Sequence, residues 1–453
     1  MIKAKYKSLF VIICTLFILL LTPLLPIEIA HATETLGGYS YDISGSNATI
    51  TGYTGSGGDI IIPKTLGVYT VTAIEDYAFS SQTGLTSITI PAGVTSIGSN
   101  AFSSCTSLTS VIIPNTVEQI GGYAFSNCTS LKSINIPTVV TNIASGTFSR
   151  CTSLTTLTIP SNITSIDDSA FYDCISLSEI TIPNTVKTIG DGAFSSCKSL
   201  IHLVIPNSIT IINSYAFSDC TSLIDITIPS SVTSISYAAF SNCTSLPSVS
   251  IPSSVSNIDD SVFYNCINLT DAKFYGDAPA TDGTNLFFGC ASNFKIYYLF
   301  GKAGFANTWY GYTPEPFYNI TYQGNNNTSG VVPVDSNCYL KGSESTTVLA
   351  NTGALAKLGF NFSEWNTEAD GSGTKYTAGT AIAIGTSNIT LYASYIDLCD
   401  IDNDGTVDIN DLASLARNYN TRSSGANWNS VFDFNKDGII DIFDLVICSR
   451  RIK

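Results

Sequence analysis

Histidine is nearly missing from this chain of 453 residues, which holds only His31 and His202. A zinc centre of the His-rich kind or a Cys–His nucleophile needs imidazoles that a pair so placed does not supply. There is no Gly-x-Ser-x-Gly elbow for a serine nucleophile. Acidic residues are scattered through the middle of the chain, without inserted loops that would wall a cleft for paired carboxylates. Positive charge is also scarce: 20 Lys and Arg stand against 35 Asp and Glu, a formal net charge of −15. That balance excludes nucleic acid and anionic membrane as partners.

What is present begins with Lys3, Lys5 and Lys7, an apolar run from Leu9 to Leu25, and Ala30-His31-Ala32. A basic start, a greasy core and a small-x-small site form a secretory signal peptide over residues 1–32, cleaved after Ala32. A retained anchor is the alternative, although the run is short for a membrane span. Loss of three lysines and Glu28 moves the formal charge to about −17. The mature chain is then secreted and extracellular, with no membrane span and too much length for one core.

The middle of the chain repeats every 23 residues. Phe79, Phe102, Phe125, Phe148, Phe171, Phe194, Phe217, Phe240 and Phe263 keep that step, and cysteines keep it from Cys105 to Cys266. One coil cannot bury its own Val, Ile, Ala, Phe, Cys and Leu, so stability requires stacked neighbours at ~4.8 Å. The expectation for residues 33–315 is a solenoid of 23-residue coils between two caps, with Leu131-x-x-Ile134-x-Ile136 as the strand and Pro137 as its end. The cysteines lie between Phe and Leu inside each coil and are expected as free, buried thiols. The motif Ala-Phe-x-x-Cys-x-x-Leu resembles the BspA-like bacterial surface leucine-rich repeat family. The resemblance implies a non-catalytic adhesion surface for an extracellular protein or glycan.

On the exposed side of the expected strands one column reads Thr156, Glu179, His202, Asp225 and Ser248. Consecutive rungs would let Glu179, His202 and Asp225 share a cation or a proton. The alternative is a solvated ladder of paired charges. The next column, from Thr89 through Ile112 and Val204 to Ser250, contains no aromatic residue.

Residues 316–396 lose the 23-residue step and gain Gly and Thr, with Trp365-Asn-Thr and Gly371-Ser-Gly-Thr at their centre. This segment is similar to an internalin-type B repeat, which implies a small β-grasp-like module acting as spacer or stalk. Trp365 is expected in its core.

Residues 397–453 carry one twelve-residue acidic loop twice, from Asp400 and again from Asp433. A hard cation takes six to eight oxygens at ~2.3–2.6 Å, and alternate residues of a tight loop can aim carboxylates at one centre. In the first loop Asp400, Asp402, Asp404, Asp408 and Asp411 offer side chains and Thr406 its carbonyl. In the second, Asp433, Asn435, Asp437, Asp441 and Asp444 do so with the Ile439 carbonyl. Two calcium ions are expected. Each loop leads into an apolar stretch of helical period, Leu412 to Tyr419 and Leu445 to Ile452.

A duplicated loop and helix resembles a type I dockerin, the module that plugs cellulosomal proteins into a scaffoldin cohesin. The resemblance implies cohesin contact through Ile409, Asn410 and Arg417 in one half and Ile442, Phe443 and Arg450 in the other. Because the two halves differ there, one binding orientation should dominate. Cys399 and Cys448 are open to either packing or a clasp. The whole reads as a modular, mostly β, secreted cellulosome or cell-surface protein. The other class kept open is an accessory or enzymatic component of polysaccharide catabolism.

Overall fold

The structure is a computed structural model that describes residues 34–452 apart from 282, 343, 344, 403 and 426. The expected signal peptide lies outside the described residues. The chain divides into two compact units at Leu223/Ile224.

In the first unit an antiparallel meander opens the chain: Glu34–Leu36, Tyr39–Ser44 and Asn47–Tyr53. Asn47–Tyr53 then pairs in parallel with Tyr69–Ile74, and the coils begin. One ladder runs through Gly58–Ile61, Leu85–Thr89, Ser110–Ile112 and Ser133–Ile134, with Ser110 opposite both Ser87 and Ser133. This is the strand expected from the Leu-x-x-Ile-x-Ile pattern. The proline after it ends the ladder and opens a turn, its carbonyl accepting from the N–H three residues on, as Pro114 does from Val117 at 3.1 Å.

A second ladder accompanies the first and was not expected. It consists of short pairs such as Ser96–Ile97 on Gln119–Ile120, and Asn142–Ile143 on Ser165–Ile166 on Thr188–Ile189. The third side of each coil is a turn centred on the Phe. Residues two before and two after each Phe are left-handed, for example Tyr123 and Asn127 at φ 57° and 59° around Phe125. Alternate amides of this turn donate to the next coil: Tyr123 N to Ser145 O, Phe125 N to Thr147 O and Asn127 N to Ser149 O, at 2.7–2.9 Å.

Inside, the phenylalanines form a stack whose rings lie nearly parallel, with centroids 5.1–6.0 Å apart from Phe79 to Phe217. Offset stacking of this kind adds to the burial energy. The cysteines are free and buried as expected. Each thiol donates to the Phe carbonyl of the coil before, Cys128 to Phe102 at 3.1 Å and Cys174 to Phe148 at 3.1 Å. Burial pushes Cys105, Cys174 and Cys220 up to about 12.

The second unit continues the coils with Ser248–Ile251, Asp271–Phe274 and Lys295–Leu299 in parallel. Its Phe stack ends on Phe287, 5.7 Å from Phe263. Phe288 stands outside on Tyr264. An aromatic cap follows, in which Trp309 meets Phe274 and Phe305 edge to face and those two rings are tilted against each other. Glu315–Tyr318 still pairs with the solenoid strand Lys295–Leu299, so the sheet runs through the expected boundary at 315/316.

Beyond it, Ile320–Gln323, Ile389–Asp397, Phe360–Asn366 and Lys375–Tyr376 form one mixed sheet. Trp365 is fully buried there, its Nε1 donating to Leu349 O at 2.9 Å. The core expectation for Trp365 holds. The tail adds two helices, α1 (Ile409–Ala416) and α2 (Ile442–Ser449). They share a core of Cys399, Val407, Leu415, Phe434, Ile440 and Cys448. Both helices stop a turn short of the expected apolar stretch, leaving Tyr419 and Ile452 exposed. Among the described residues no helix is long and apolar enough to cross a membrane.

Candidate metal centres

Each acidic loop is shaped by its own backbone amides. Gly405 at φ 90° and Gly438 at φ 85° supply the left-handed bend that a side chain would resist. Gly405 N donates to Asp400 Oδ2 at 3.1 Å, and Gly438 N to Asp433 Oδ2 at 2.9 Å. Asp402 accepts from Asp404 N, and Asn435 from Asp437 N. Thr406 gives both its N–H and its hydroxyl to Asp404 Oδ1, and Ile439 N donates to Asp437 Oδ1. The antiparallel pair Thr421–Arg422 with Ile439–Ile440 holds the second loop against the link between the halves.

The twelfth residue of each loop closes it onto a helix. Asp408 caps α1 and Asp441 caps α2, each in a reciprocal capping box with Asp411 or Asp444. Asp411 Oδ1 accepts from Ile401 N at 2.6 Å and Asp402 N at 3.2 Å, and its Oδ2 from Asp408 N at 2.8 Å. Asp444 repeats this with Phe434, Asn435 and Asp441. Both carboxylates are fully buried.

Asp400, Asp402 and Asp411 bring ligand oxygens within 4.8 Å of one another. Among the described residues Asp400 Oδ1 is buried with no hydrogen-bond partner. A buried carboxylate oxygen left unpaired is costly unless a cation meets it. An all-oxygen donor set on a tight loop matches calcium. Electrostatics differ between the halves. Desolvation and the charges of Asp404, Asp411 and Asp400 push Asp402 upward. Burial raises Asp411, but the amides of Asp408, Ile401 and Asp402 outweigh it and hold the carboxyl below its ordinary value. At Asp444 burial wins, helped by Asp433, and the carboxyl is raised.

The residues expected to meet a partner are exposed on the two helices. Ile409 is 66% exposed, Ile442 53% and Phe443 62%. Asn410 is exposed beside Ile409, while Arg417 and Arg450 are the exposed C-caps of α1 and α2. Cys399 and Cys448 are adjacent free thiols, Cys448 Sγ lying 3.9 Å from Cys399 O.

Sequence reasoning missed Arg451. Its Nη1 reaches Asp397 Oδ1 at 2.7 Å and Gly359 O at 2.8 Å, its Nη2 donates to Leu358 O, and the guanidinium lies 4.0 Å over the Phe360 ring. Gly359, at φ 74°, suits this left-handed position, and a Cβ there would crowd the Arg451 guanidinium. The glycine before the Phe-Asn-Phe run was the available signal.

In the solenoid, Glu179 is exposed in an isolated bridge with Thr156, and His202 opens the strand His202–Val204 of the first unit. Asp225 opens Asp225–Thr227 in the second unit. Among the described residues no ion pair joins Glu179 to His202.

Three family models match the chain. A BspA-type leucine-rich repeat region covers residues 72–201 and 187–298 in 6 copies. A Listeria-Bacteroides repeat domain covers 318–394, and a type I dockerin domain covers 398–453. Among solved structures, a leucine-rich cell surface protein of Faecalibacterium prausnitzii is 29% identical over 59% of this chain and 94% of its own, with a TM-score of 0.36. A leucine-rich repeat protein of Bacteroides capillosus is 30% identical over 28% of this chain and 96% of its own, at 0.24. At such TM-scores the family models carry the assignment. A protein of Evansella cellulosilytica described as a Gly-rich membrane protein shares 36% identity over 78 residues, 17% of this chain. The chain spans only 9% of that relative's length.

Proposed function

Because the chain belongs to the BspA-type leucine-rich repeat family and ends in a type I dockerin, we propose that it is a secreted, non-catalytic component of a cellulosome-type assembly. Its tail docks onto a scaffoldin cohesin in a calcium-dependent way, and its coils display a surface for an extracellular protein or glycan. Residues 1–32 serve as the export signal in this reading.

The observation that supports it most directly is the unpaired, buried Asp400 Oδ1 inside the Asp400–Asp402–Asp411 cluster. One ion in the first loop would be held by Asp400, Asp402, Asp404, Asp408, Asp411 and the Thr406 carbonyl. A second would be held by Asp433, Asn435, Asp437, Asp441, Asp444 and the Ile439 carbonyl. When bound, calcium neutralises carboxylates that otherwise repel one another. Asp411 and Asp444 tie each loop to the start of its helix through the capping boxes, so loop order and helix order rise together.

That coupling presents Ile409 beside the carboxamide of Asn410, or Ile442 with Phe443, as the anchors, with Arg417 or Arg450 at the rim. Exposed Ile and Phe surrounded by polar residues form the usual centre of a protein interface. Calorimetry of the full chain with a type I cohesin tests this. Calcium should support tight binding, and chelator should weaken it by at least about a hundredfold, roughly 2.7 kcal/mol. Equal binding in chelator would contradict the reading.

A further inference from the structure

The exposed aromatic residues of the first unit stand on the turn face of the coils, away from the strand columns. At the position two before each stacked Phe the backbone is left-handed, and it is occupied by Tyr77, Asn100, Tyr123, Gly146, Ser169, Gly192 and Tyr215. Small or polar residues suit that conformation, whereas a bulky ring is disfavoured there. Burial does not compensate the tyrosines, since Tyr77, Tyr123 and Tyr215 stay 62%, 44% and 45% exposed. A bulky ring kept on the surface against its local preference points to recognition.

One of the three has a groove beside it. Tyr123, Asn127, Ser104, Ser149, Arg150 and Tyr172 line a shallow trough crossing several coils. The ring of Tyr123 lies against Gly146, where a Cβ would meet it at 2.2 Å, so the glycine seats the ring. Arg150 holds its guanidinium 5.9 Å over the Tyr172 ring, and it takes part in none of the ion pairs among the described residues. No carboxylate lines the trough, although the chain as a whole is acidic.

Two features select the ligand. The alternate amides of the turn face are already used from coil to coil: Asn100 N to Gly122 O, Phe102 N to Ala124 O, Gly146 N to Asp168 O and Arg150 N to Tyr172 O. An extended peptide that binds by adding a strand therefore finds no free row of donors here. What the trough offers is hydroxyls, carboxamides, one guanidinium and ring faces. A shallow trough is also much smaller than the ~1,200 Å² or more that a stable protein interface buries. We infer that this turn-face trough binds a neutral, hydroxyl-rich glycan chain, with Tyr123 and Tyr172 as ring platforms and Arg150 as a donor.

This inference rests on the proposal that the coils display a ligand surface, and it names the site and the ligand class. The test is affinity electrophoresis of the full chain through gels holding a neutral β-glucan, a xylan, a galactomannan or, separately, polygalacturonate. At least one neutral polysaccharide should retard the chain. Tyr123→Ala and Tyr172→Ala should each weaken retardation about tenfold, whereas Tyr77→Ala, at the same backbone position outside the trough, should not change it. Unaltered thermal unfolding of each variant separates lost binding from lost fold. Absence of retardation in a chain that still binds cohesin overturns this inference alone. So does retardation that ignores both substitutions, or retardation by polygalacturonate only. A chain that is retarded through Tyr123 yet fails to bind cohesin breaks the docking reading and leaves this one standing.

Discussion

Every coil of the first unit buries a Phe and a Leu, most of them also a Cys, and each tail repeat buries a carboxylate, Asp411 or Asp444. Both regions are made by repetition, but their interiors ask for different partners. A buried ring is satisfied by the ring above it, and a buried thiol by the Phe carbonyl of the coil before, so the solenoid completes itself from within. A buried Asp has hydrogen bonds from amides and still carries charge, and among the described residues Asp400 Oδ1 has not even an amide. On the proposed reading the tail is completed by an ion from outside the chain. Stacking yields stability that depends on the number of coils, whereas converging carboxylates yield stability that depends on ion concentration.

The largest expected effect separates the two regions by substitution. Asp400→Ala with Asp433→Ala should abolish cohesin binding measured by calorimetry and leave the solenoid's unfolding temperature unchanged. Equal loss in both regions would erase the distinction. The reverse experiment removes a ring from the middle of the stack. Phe171→Ala should cost about 3–5 kcal/mol in chemical unfolding followed by solenoid fluorescence or circular dichroism, with cohesin binding intact.

A smaller and more diagnostic effect is alkaline. Folded-state thiols raised to about 12 at Cys105, Cys174 and Cys220, above an ordinary value near 9, bind their protons more tightly than the unfolded chain does. The stability they contribute is fully present below about pH 9 and is lost as pH rises toward about 12. Chemical unfolding of the solenoid between pH 8 and pH 11 should show this slope, and Cys174→Ala should make it shallower. A flat profile would mean that the thiols are not buried as described. The smallest effect concerns the joint. Gly359→Ala places a Cβ 2.5 Å from Arg451 Nη2 in a left-handed position, so the tail should loosen on the repeat module by about 1 kcal/mol. Faster hydrogen exchange at Leu398 would report it.

Where a residue's role follows from period and chemistry, reading the chain was enough. The Phe and Cys columns repeat too regularly to be misread, and the core place of Trp365 followed from its size in a small sheet. Other features rest on three-dimensional circumstances that leave a weak trace. The second ladder is made of two-residue strands, below the length at which alternation can be seen. The left-handed turn positions are occupied by Tyr, Asn, Arg and Ser as well as Gly, so no glycine rule exposes them. Arg451 was missed because only the folded tail shows that its guanidinium faces Gly359 and Asp397. The stack closes on Phe287, one position later than the 23-residue step from Phe263 would place it, because the last coil takes one extra residue, which also makes Cys290 reach back 27 positions where Cys266 reaches 26.

The central claim is that the coils hold themselves and the tail is held by calcium. Hydrogen–deuterium exchange of the full mature chain, read by mass spectrometry with calcium and then with chelator, tests it in one sample. Residues 72–298 should keep their protection in both conditions, and residues 398–452 should lose theirs when calcium is removed. Protection of α1 and α2 that survives in chelator, or solenoid protection that falls with the tail, would contradict the account.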